Sequence, residues 1–356
     1  MVTTRRYDAL VVGGRIAGAL TAAHLVQRGL EVCVLESQAF PSDTMSTHFF
    51  RGDGLIRSLQ EVGVLGSVLA TGAPPLRSET FSMNGEPGQE GPPQEPGDVG
   101  YCLSVRRRTL DGLLAEHVSA LTGVEFRTRT RVVDLTRSGA RVTGAVTDDG
   151  TAYEAEVVVG ADGRRSTVAR LVDAGVQQDH APTRVMYFQY VTGWTAPDGS
   201  EPSMPEFSLL GDELAYVFPS DHGVACVAIS LPVDAWVQGA GTREHQYQER
   251  LRSHVWLRDR LERTHPVAGV VAAPPSHSVV REAAGPGWAL VGDAGTHQDP
   301  WSGFGMDTAA RQAVALANSI HDADSPAAYA RARDSVTLER FTQTVTLGRD
   351  LRLLAG

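Results

Sequence analysis

The chain contains no lysine, because all 32 of its basic residues are arginine. Any mechanism that needs a lysine amine is therefore excluded. The 42 acidic residues give a formal net charge of −10, which argues against a nucleic acid or an anionic membrane surface as the main partner. We therefore expect no nucleic-acid partner.

Cysteine is also scarce, with only Cys33, Cys102 and Cys226, and no two of them form a Cys-x-x-Cys pair. An odd number at this spacing is typical of reduced thiols in a cytoplasmic protein. No grouping of His, Cys and Asp has the spacing of metal ligands, so we expect no metal site. Long apolar runs are missing as well, and we expect neither a secretory signal nor a membrane span.

The 356 residues are enough for two lobes, and the chain opens with a strand–helix–strand pattern. A short apolar run at 7–12 predicts a buried parallel strand. Apolar residues at helical spacing over 16–28, followed by Gly29, predict a helix. The run at 30–35 predicts a second buried strand, which completes a βαβ unit.

The turn between the first strand and the helix is rich in glycine. It reads Gly13-Gly14-Arg15-Ile16-Ala17-Gly18. In the dinucleotide-binding pattern, the glycines allow a tight turn, close approach of the backbone to a pyrophosphate, and close helix–strand packing. Arg15 replaces the usual middle glycine, and we expect its side chain to lie along the bound cofactor rather than in solvent. Glu36 ends the second strand, where an acid accepts hydrogen bonds from ribose hydroxyls.

Two further turns follow apolar runs that predict buried strands. They read Gly160-Ala161-Asp162-Gly163 and Gly292-Asp293-Ala294-Gly295, and the second is followed by Pro300, Gly303, Gly305 and Met306. A ligand site at the end of a parallel sheet requires this placement. Between the two turns, alternating aromatic and β-branched residues over 184–232 predict an antiparallel sheet with one covered face.

Together these motifs resemble the FAD-dependent monooxygenase superfamily, which includes aromatic hydroxylases, flavin-dependent halogenases and geranylgeranyl reductases. The resemblance covers nearly the whole chain. It implies an α/β fold with a Rossmann-like FAD-binding domain, an inserted antiparallel β-sheet substrate domain and C-terminal helices. The implied FAD-binding domain comprises 1–75, 101–175 and 281–330, the substrate-binding sheet domain 76–100 and 176–280, and the C-terminal helical segment 331–356.

The resemblance also implies a non-covalent FAD that contacts all three motifs. Asp293 would bind the ribityl chain, and Asp162 would lie behind the FAD. The helix after Pro300 would point its N-terminus at the flavin, where the helix dipole stabilises the negative charge that builds on reduction. The predicted FAD contacts are Gly13, Gly14, Arg15, Ala17, Gly18, Glu36, Thr47, Arg51, Arg107, Asp162, Asp293, Gly303, Gly305 and Met306.

His48 and His297 are the histidines nearest the expected flavin. Either could act as a general base or steer a substrate hydroxyl, and the alternative for each is a hydrogen-bonded structural histidine. With Pro300 they form the candidate catalytic set. For Asp299 we favour a helix cap over contact with substrate. Arg51 binds a phosphate or a pyridine nucleotide in one interpretation, and forms a surface salt bridge in the other.

Departures from the family pattern narrow the function. Halogenases of this superfamily use an active-site lysine and a Trp-x-Trp-x-Ile-Pro element, and this chain has neither. Geranylgeranyl reductases carry Tyr-x-Trp-x-Phe-Pro, of which segment 214–219 keeps only Phe218-Pro219. We expect that segment to form a strand over the substrate pocket, and we expect an aromatic lining from Tyr187, Tyr190, Tyr216, Phe218 and Trp301.

We therefore expect a cytoplasmic FAD-dependent monooxygenase-like oxidoreductase. The resemblance implies oxygen transfer through a flavin C4a-hydroperoxide to an apolar, aromatic or polycyclic natural-product intermediate. NADPH or NADH would supply the electrons, with a separate flavin reductase as the other source. An isoprenoid double-bond reductase and a flavin-bound non-redox cyclase are the alternatives, and no motif indicates an oligomeric state.

Overall fold

The computed structural model contains two large sheets. The first takes most of its strands from the first half of the chain, and the second, mostly antiparallel sheet takes most of its strands from the second half. Residues 5–46, 48–93, 97–236, 240–320 and 325–355 are described. The first half contains β1 (Arg6–Val12), α1 (Ile16–Val26), β2 (Val32–Leu35), β3 (Phe49–Phe50), α2 (Arg57–Glu61), α3 (Leu65–Leu69), β4 (Glu79–Met83), β5 (Gln89–Gly91), β6 (Leu103–Ser104), α4 (Arg107–Ser119), β7 (Val124–Arg127), β8 (Val132–Ser138), β9 (Arg141–Thr147), β10 (Ala152–Gly160) and α5 (Thr167–Leu171). The second half contains β11 (Val176–His180), β12 (Arg184–Thr192), β13 (Glu206–Leu210), β14 (Glu213–Pro219), β15 (Ala225–Pro232), α6 (Ala240–Ser253), α7 (Val255–Leu261), β16 (His265–Pro266), β17 (Val271–Ala273), β18 (Ser278–Arg281), β19 (Ala284–Gly285), β20 (Trp288–Leu290), β21 (Thr296–His297), α8 (Gly305–Ser319) and α9 (Ser325–Gly348).

A parallel core lies at the centre of the first sheet. Strands β20, β10, β1, β2 and β7 are neighbours in that order, and all four pairings between them are parallel. Strand β2 is buried along its whole length and reads Val-Cys-Val-Leu, as expected for a strand covered on both faces. The carboxyl ends of these strands therefore meet at one edge, which is where such sheets bind ligands.

Helices α1 and α8 pack against this sheet and against each other. Nine of the 11 residues of α1 are buried, because the helix is apolar on nearly all sides. Helix α9 in turn packs on α8. The N-termini of α1 and α8 thus lie close to the carboxyl edge of the sheet.

The second sheet has the order β16-β12-β15-β14-β13-β4-β5 and is antiparallel except for the β13–β4 pair. Alternate residues of its strands face two different clusters. Phe188 and Phe218 lie on the face that packs towards the half of the chain containing the first sheet. Tyr187 and Val217 lie on the other face, which is covered by α6 and α7. We predicted one covered face from the sequence, and this was wrong because the two helices cover the other face as well.

The predicted α/β fold class is confirmed by the mixed parallel and antiparallel sheets. Helices α6 and α7 follow each other along the chain and are interrupted at His254. The predicted domain boundaries stay a prediction, and the boundary between 330 and 331 falls inside α9. No helix in the described ranges combines the length and apolarity that a bilayer crossing requires.

Candidate functional site

A cavity of about 680 Å³ opens at the carboxyl edge of the parallel strands. Its volume falls in the range of roughly 300–1,000 Å³ that is typical of small-molecule and cofactor sites. The turns after β1 and β10, the end of β2 and the start of α8 all contribute to its wall. The predicted site residues that line it are Gly13, Arg15, Ala17, Glu36, Arg107, Asp162, Asp293, His297, Pro300, Gly303, Gly305 and Met306.

The glycines of the first turn shape the cavity through close backbone packing. Gly13 has φ +101°, and a Cβ there would lie 2.4 Å from the carbonyl oxygen of Ala161. A Cβ on Gly18 would lie 1.8 Å from the carbonyl oxygen of Gly13. Helix α1 begins after Arg15 without a side-chain cap, so its first N–H groups remain for an anion. This end of the cavity fits the pyrophosphate of FAD.

Glu36 is buried at the end of β2 and supports the same turn. One of its carboxylate oxygens accepts a hydrogen bond from the N–H of Gly14 at 2.7 Å, and the other accepts from the N–H of Gln38 at 2.7 Å. A carboxylate offers about four lone-pair positions, so capacity for ribose hydroxyls remains. The position of Glu36 on the cavity wall fits the role predicted for it.

Two arginines on the cavity wall share one buried carboxylate. Nη1 of Arg15 lies 2.6 Å from Oδ2 of Asp111, and Nη2 of Arg107 lies 3.0 Å from Oδ1 of the same side chain. Asp111 is fully buried, so the cluster carries one net positive charge beside the cavity. Charge-assisted hydrogen bonds of this kind suit phosphate oxygens. Arg107 and Asp111 are four residues apart on α4, whereas Arg15 is 96 positions from Asp111, so no local pattern predicted the contact of Arg15 with this carboxylate.

Asp162 has a structural role that the sequence did not predict. Its carboxylate accepts hydrogen bonds from the N–H of Thr167 at 2.7 Å and from the hydroxyl of Ser166. It therefore caps the first turn of α5. Burial raises the pKa of Asp162 above its usual value. The residue also lines the cavity, and its contact with FAD stays a prediction.

Asp293, His297 and Ser276 form a hydrogen-bonded chain on the cavity wall. Nδ1 of His297 lies 3.0 Å from Oδ2 of Asp293, and Nε2 lies 2.9 Å from Oγ of Ser276. The imidazole is therefore held from both sides, and the chain can relay a proton along the wall. Ser276 was missed from the sequence, since it lies in a proline-rich loop with no motif around it.

Asp299 caps the turn Pro300–Ser302, as the sequence indicated. Its carboxylate accepts a hydrogen bond from the N–H of Trp301 at 3.2 Å. Burial raises the pKa of Asp299 to about 6, although that hydrogen bond acts in the opposite direction. The side chain lines the cavity, so an acid that titrates near neutral pH lies beside the predicted flavin position.

His48 does not line the cavity. It lies between the start of helix α4 and strand β12. Its Nδ1 accepts a hydrogen bond from the N–H of Arg107 at 3.2 Å, and its Nε2 lies 2.5 Å from the Tyr190 hydroxyl. Burial and the Arg107 charge lower the pKa of His48 to about 3, so the ring is neutral near pH 7. These contacts favour the structural interpretation, while its catalytic role stays an untested prediction. Thr47, beside it, lies outside the described residues.

A second cavity, of about 240 Å³, adjoins the first, and Gly303 lines both. The segment predicted to cover the substrate is strand β14, which presents Leu214, Tyr216 and Phe218 to this cavity. The remaining lining consists of Phe49, Arg51, Glu79, Phe81, Met83, Phe207, Trp301, Ser302, Phe304, Gln343, Leu347 and Leu354. We refer to it as the aromatic cavity. It provides a mainly apolar chamber next to the predicted FAD position.

Three predicted residues lie elsewhere than expected. Arg51 lines the aromatic cavity, so its assignment to FAD stays a prediction. Tyr187 stacks on Trp236, on the opposite face of the second sheet, and Tyr190 contacts His48. The sequence could not separate these tyrosines from Tyr216, because one-residue differences in strand register decide which face a side chain occupies.

Comparison with known proteins places this geometry among flavoproteins. Residues 6–340 match the family model described as the FAD binding domain. Menaquinone reductase of Mycolicibacterium smegmatis is 28% identical over 370 residues, which cover 98% of this chain and 84% of that protein. Kynurenine 3-monooxygenase of Salinispora arenicola is 31% identical over 185 residues, which cover 50% of this chain and 40% of that protein.

A solved structure with the same fold is that of PqsL, a probable FAD-dependent monooxygenase from Pseudomonas aeruginosa. The two structures superimpose with a TM-score of 0.79 at 22% identity, over 97% of this chain and 95% of that one. The two sheets of this chain are therefore arranged as they are in that solved structure.

Proposed function

We propose that this chain, which belongs to the FAD binding domain family and is an FAD-dependent oxidoreductase, transfers an oxygen atom to a compact apolar ring compound. The observation that carries this proposal is the aromatic cavity, which adjoins the larger cavity at Gly303. A ring compound bound there would lie next to the cofactor. Most of its other neighbours would be apolar or aromatic side chains.

The residues that would hold FAD are those of the larger cavity. The first turn of α1 and the arginines that flank Asp111 would bind the phosphates, Glu36 the ribose, and Asp293 the ribityl chain. When bound, FAD supplies the redox chemistry, with NADPH or NADH as the proposed electron source. The protein binds and orients the reactants, and keeps water away from them.

Exclusion of water is the main contribution of the aromatic cavity. Phe49, Phe218 and Trp301 are each less than a tenth exposed, and their rings form part of its wall. A dry site protects reactive oxygen species from hydrolysis and from loss as peroxide. Protons can be exchanged in the adjoining larger cavity by Asp299, which has a pKa of about 6, or along the chain of Asp293, His297 and Ser276.

Reduction of an isoprenoid double bond is the second candidate. Reduction as the reaction type is favoured by the similarity to menaquinone reductase, which spans nearly the whole chain. The volume of the aromatic cavity argues for oxygenation, because about 240 Å³ suits a compact molecule and a long isoprenoid chain would extend beyond it. The altered aromatic residues at 214 and 216 argue in the same direction.

The first experiment is the anaerobic visible spectrum of the purified protein before and after addition of NADPH, and then of NADH. Bleaching of the flavin spectrum would show that the protein accepts hydride itself. The products of ring compounds incubated with the reduced enzyme under isotopically labelled oxygen gas are then analysed by mass spectrometry. A gain of one labelled oxygen atom supports the proposal, a gain of two hydrogen atoms supports the reductase, and an isomer of unchanged mass supports a cyclase.

A further inference from the structure

The aromatic cavity contains a buried positive charge that its apolar walls do not explain. Arg51 is 6% exposed and lines the cavity. Its guanidinium carbon lies 5.0 Å from the centre of the Phe49 ring and 4.7 Å from the centre of the Phe304 ring. Cation–π contacts on two sides hold the guanidinium in place. The charge is therefore fixed at the cavity wall.

The guanidinium makes few hydrogen bonds, although an arginine side chain has five N–H donors. Nη1 donates to the carbonyl oxygen of Ser302 at 3.4 Å, which is a long contact. Among the described residues, the buried Nε has no hydrogen-bond partner. The nearby Asp307 carboxylate accepts from the backbone N–H of Arg51 at 3.1 Å. The Arg51 charge also favours the ionised form of that buried carboxylate, but among the described residues no side-chain hydrogen bond joins the two, so an anionic ligand would supply the acceptors that the guanidinium lacks.

Glu79 is the acidic residue on the wall of the same cavity, and it has an interaction of its own. Arg51 lines this chamber together with Phe207, Tyr216 and Phe218, and the hydrogen bond that its Nη1 donates to Ser302 is long. A carboxylate can accept two parallel hydrogen bonds from a guanidinium. The attached ring would then be covered by the aromatic side chains.

We propose that Arg51 anchors an anionic group of the substrate, so that this enzyme acts on compact aromatic acids. The inference rests on the proposed function for the identity of the ligand as substrate. It assigns Arg51 to substrate recognition and not to the binding of FAD. It also narrows the substrate class from apolar ring compounds to those that carry a carboxylate.

Isothermal titration calorimetry of the oxidised, FAD-loaded protein tests this assignment. The probes are benzoate and cinnamate, each paired with its neutral amide, and benzylamine. We expect each acid to bind about ten- to hundredfold more tightly than its amide, because a charge-assisted hydrogen bond is stronger than a neutral one. Arg51→Met should remove this preference, and Arg51→Lys should keep part of it.

Arg340→Met is the matched control. Its guanidinium carbon lies 5.3 Å from the centre of the same Phe304 ring, but the residue is not part of the cavity wall. We expect this variant to keep the preference of the wild type. The FAD content of each variant is measured from its absorbance, so that loss of cofactor is distinguished from loss of ligand binding.

Three results would overturn the proposal: equal affinity for acid and amide, tighter binding of benzylamine, or no binding of either acid. Loss of FAD from Arg51→Met would also overturn it, because Arg51 would then belong to the FAD site. The titrations need neither an electron donor nor oxygen. Tight acid binding without any oxygenated product would therefore refute the proposed function while leaving the anion site in place.

Discussion

Burial shifts the pKa values of ionisable side chains in and near the large cavity, and the direction depends on the type of side chain. It raises the pKa of Asp299 and lowers the pKa of His48, while Asp111 is paired with two arginines. Asp299 is therefore the acid on the wall that changes its charge near neutral pH. His48, which is neutral at that pH, connects two parts of the chain through its two ring nitrogens.

Replacement of Asp299 by asparagine should change how stability depends on pH. Between about pH 4 and pH 6, folded Asp299 keeps a proton that the unfolded chain has lost, so stability decreases as the pH rises through this window, by about 2–3 kcal/mol at most. Asparagine is an equally good cap and cannot ionise. We expect Asp299→Asn to be more stable than the wild type at pH 8 and similar to it at pH 4. Urea unfolding at both pH values checks this, and a constant difference would contradict it.

Replacement of Asp293 by alanine should remove most of the bound FAD. The change deletes the carboxylate that lines the cavity and that holds Nδ1 of His297. We expect the ratio of flavin absorbance to protein absorbance to fall at least about tenfold, since charged hydrogen bonds are strong. Asp179→Ala is the control, because that exposed carboxylate pairs with His277 and does not line the cavity. If Asp293→Ala purified with its full content of flavin, the placement of the third motif would be wrong.

The first strand and helix show how one element depends on a missing side chain. Gly18 brings α1 against the end of β1, and a Cβ there would overlap the carbonyl oxygen of Gly13. We expect Gly18→Ala to lower the free energy of unfolding by about 1–3 kcal/mol or more, through overpacking, and to weaken FAD binding.

Gly66→Ala is the matched control for that change. Gly66 lies in α3, and a Cβ there would meet no atom within 4 Å. Alanine is preferred over glycine in a helix by up to about 1 kcal/mol, so this variant should be neutral or slightly stabilised. Chemical denaturation of both variants tests the pair, and similar effects at the two positions would argue against a special packing role for Gly18.

For single helices and strands, the sequence was informative wherever the element is determined by a local pattern of residues. The apolar runs predicted β1 and β2 to within two residues at each end, because buried strands are continuous in sequence. The stretch after residue 72 was less clear. Its strands β4 and β5 join the second sheet through β13, which lies more than 120 residues away, and no local pattern indicates that pairing.

Across the whole molecule, a buried ion pair connects the two halves of the chain. Asp221, beyond the end of β14, accepts hydrogen bonds from the backbone N–H of Arg106 at 2.8 Å, from its Nε at 3.0 Å, and from the hydroxyl of Thr109 at 2.7 Å. Burial opposes ionisation of this carboxyl, but the hydrogen bonds outweigh burial and hold the pKa of Asp221 below its usual value. The start of α4, on which Arg107 lies, is thereby fixed to the second sheet.

Asp221→Asn should weaken this connection. The change weakens several hydrogen bonds to a charged acceptor, and because the Arg106 side chain is 25% exposed and its charge stays partly solvated, we expect a loss of about 1.5–3 kcal/mol in the free energy of unfolding. The pair stabilises the protein above the pKa of an unfolded aspartate, and the contribution is lost as the pH falls below about 4. The variant should therefore differ from the wild type at pH 7 and approach it in acid.

Denaturant unfolding at pH 7 and pH 3 measures both effects. Asp259→Asn, which removes an exposed carboxylate paired with Arg258, should change stability little at either pH. Equal stability of Asp221→Asn and the wild type at pH 7 would show that the pair contributes no net stability.

Only part of the candidate site could be predicted from the sequence. Glycine-rich turns mark the cofactor cavity because each turn needs a particular residue at a particular position, as Gly13 shows with its positive φ. The aromatic cavity has no comparable turn motif, and only Tyr216, Phe218 and Trp301 of its lining were predicted from the sequence. Phe49, Phe218 and Trp301 come from three distant segments, and only the folded chain brings their rings together.

Because several distant segments build the aromatic cavity, its substrate specificity cannot be transferred to another protein with one segment alone. The aromatic cavity takes its wall from the second sheet, from the turn at Pro300–Ser302 and from α9 and the residues that follow it, including Gln343, Leu347 and Leu354. A chimera that exchanges only the inserted sheet with a relative would combine half of one chamber with half of another. Transplanting substrate preference into another scaffold would therefore require the C-terminal helix to move together with the sheet.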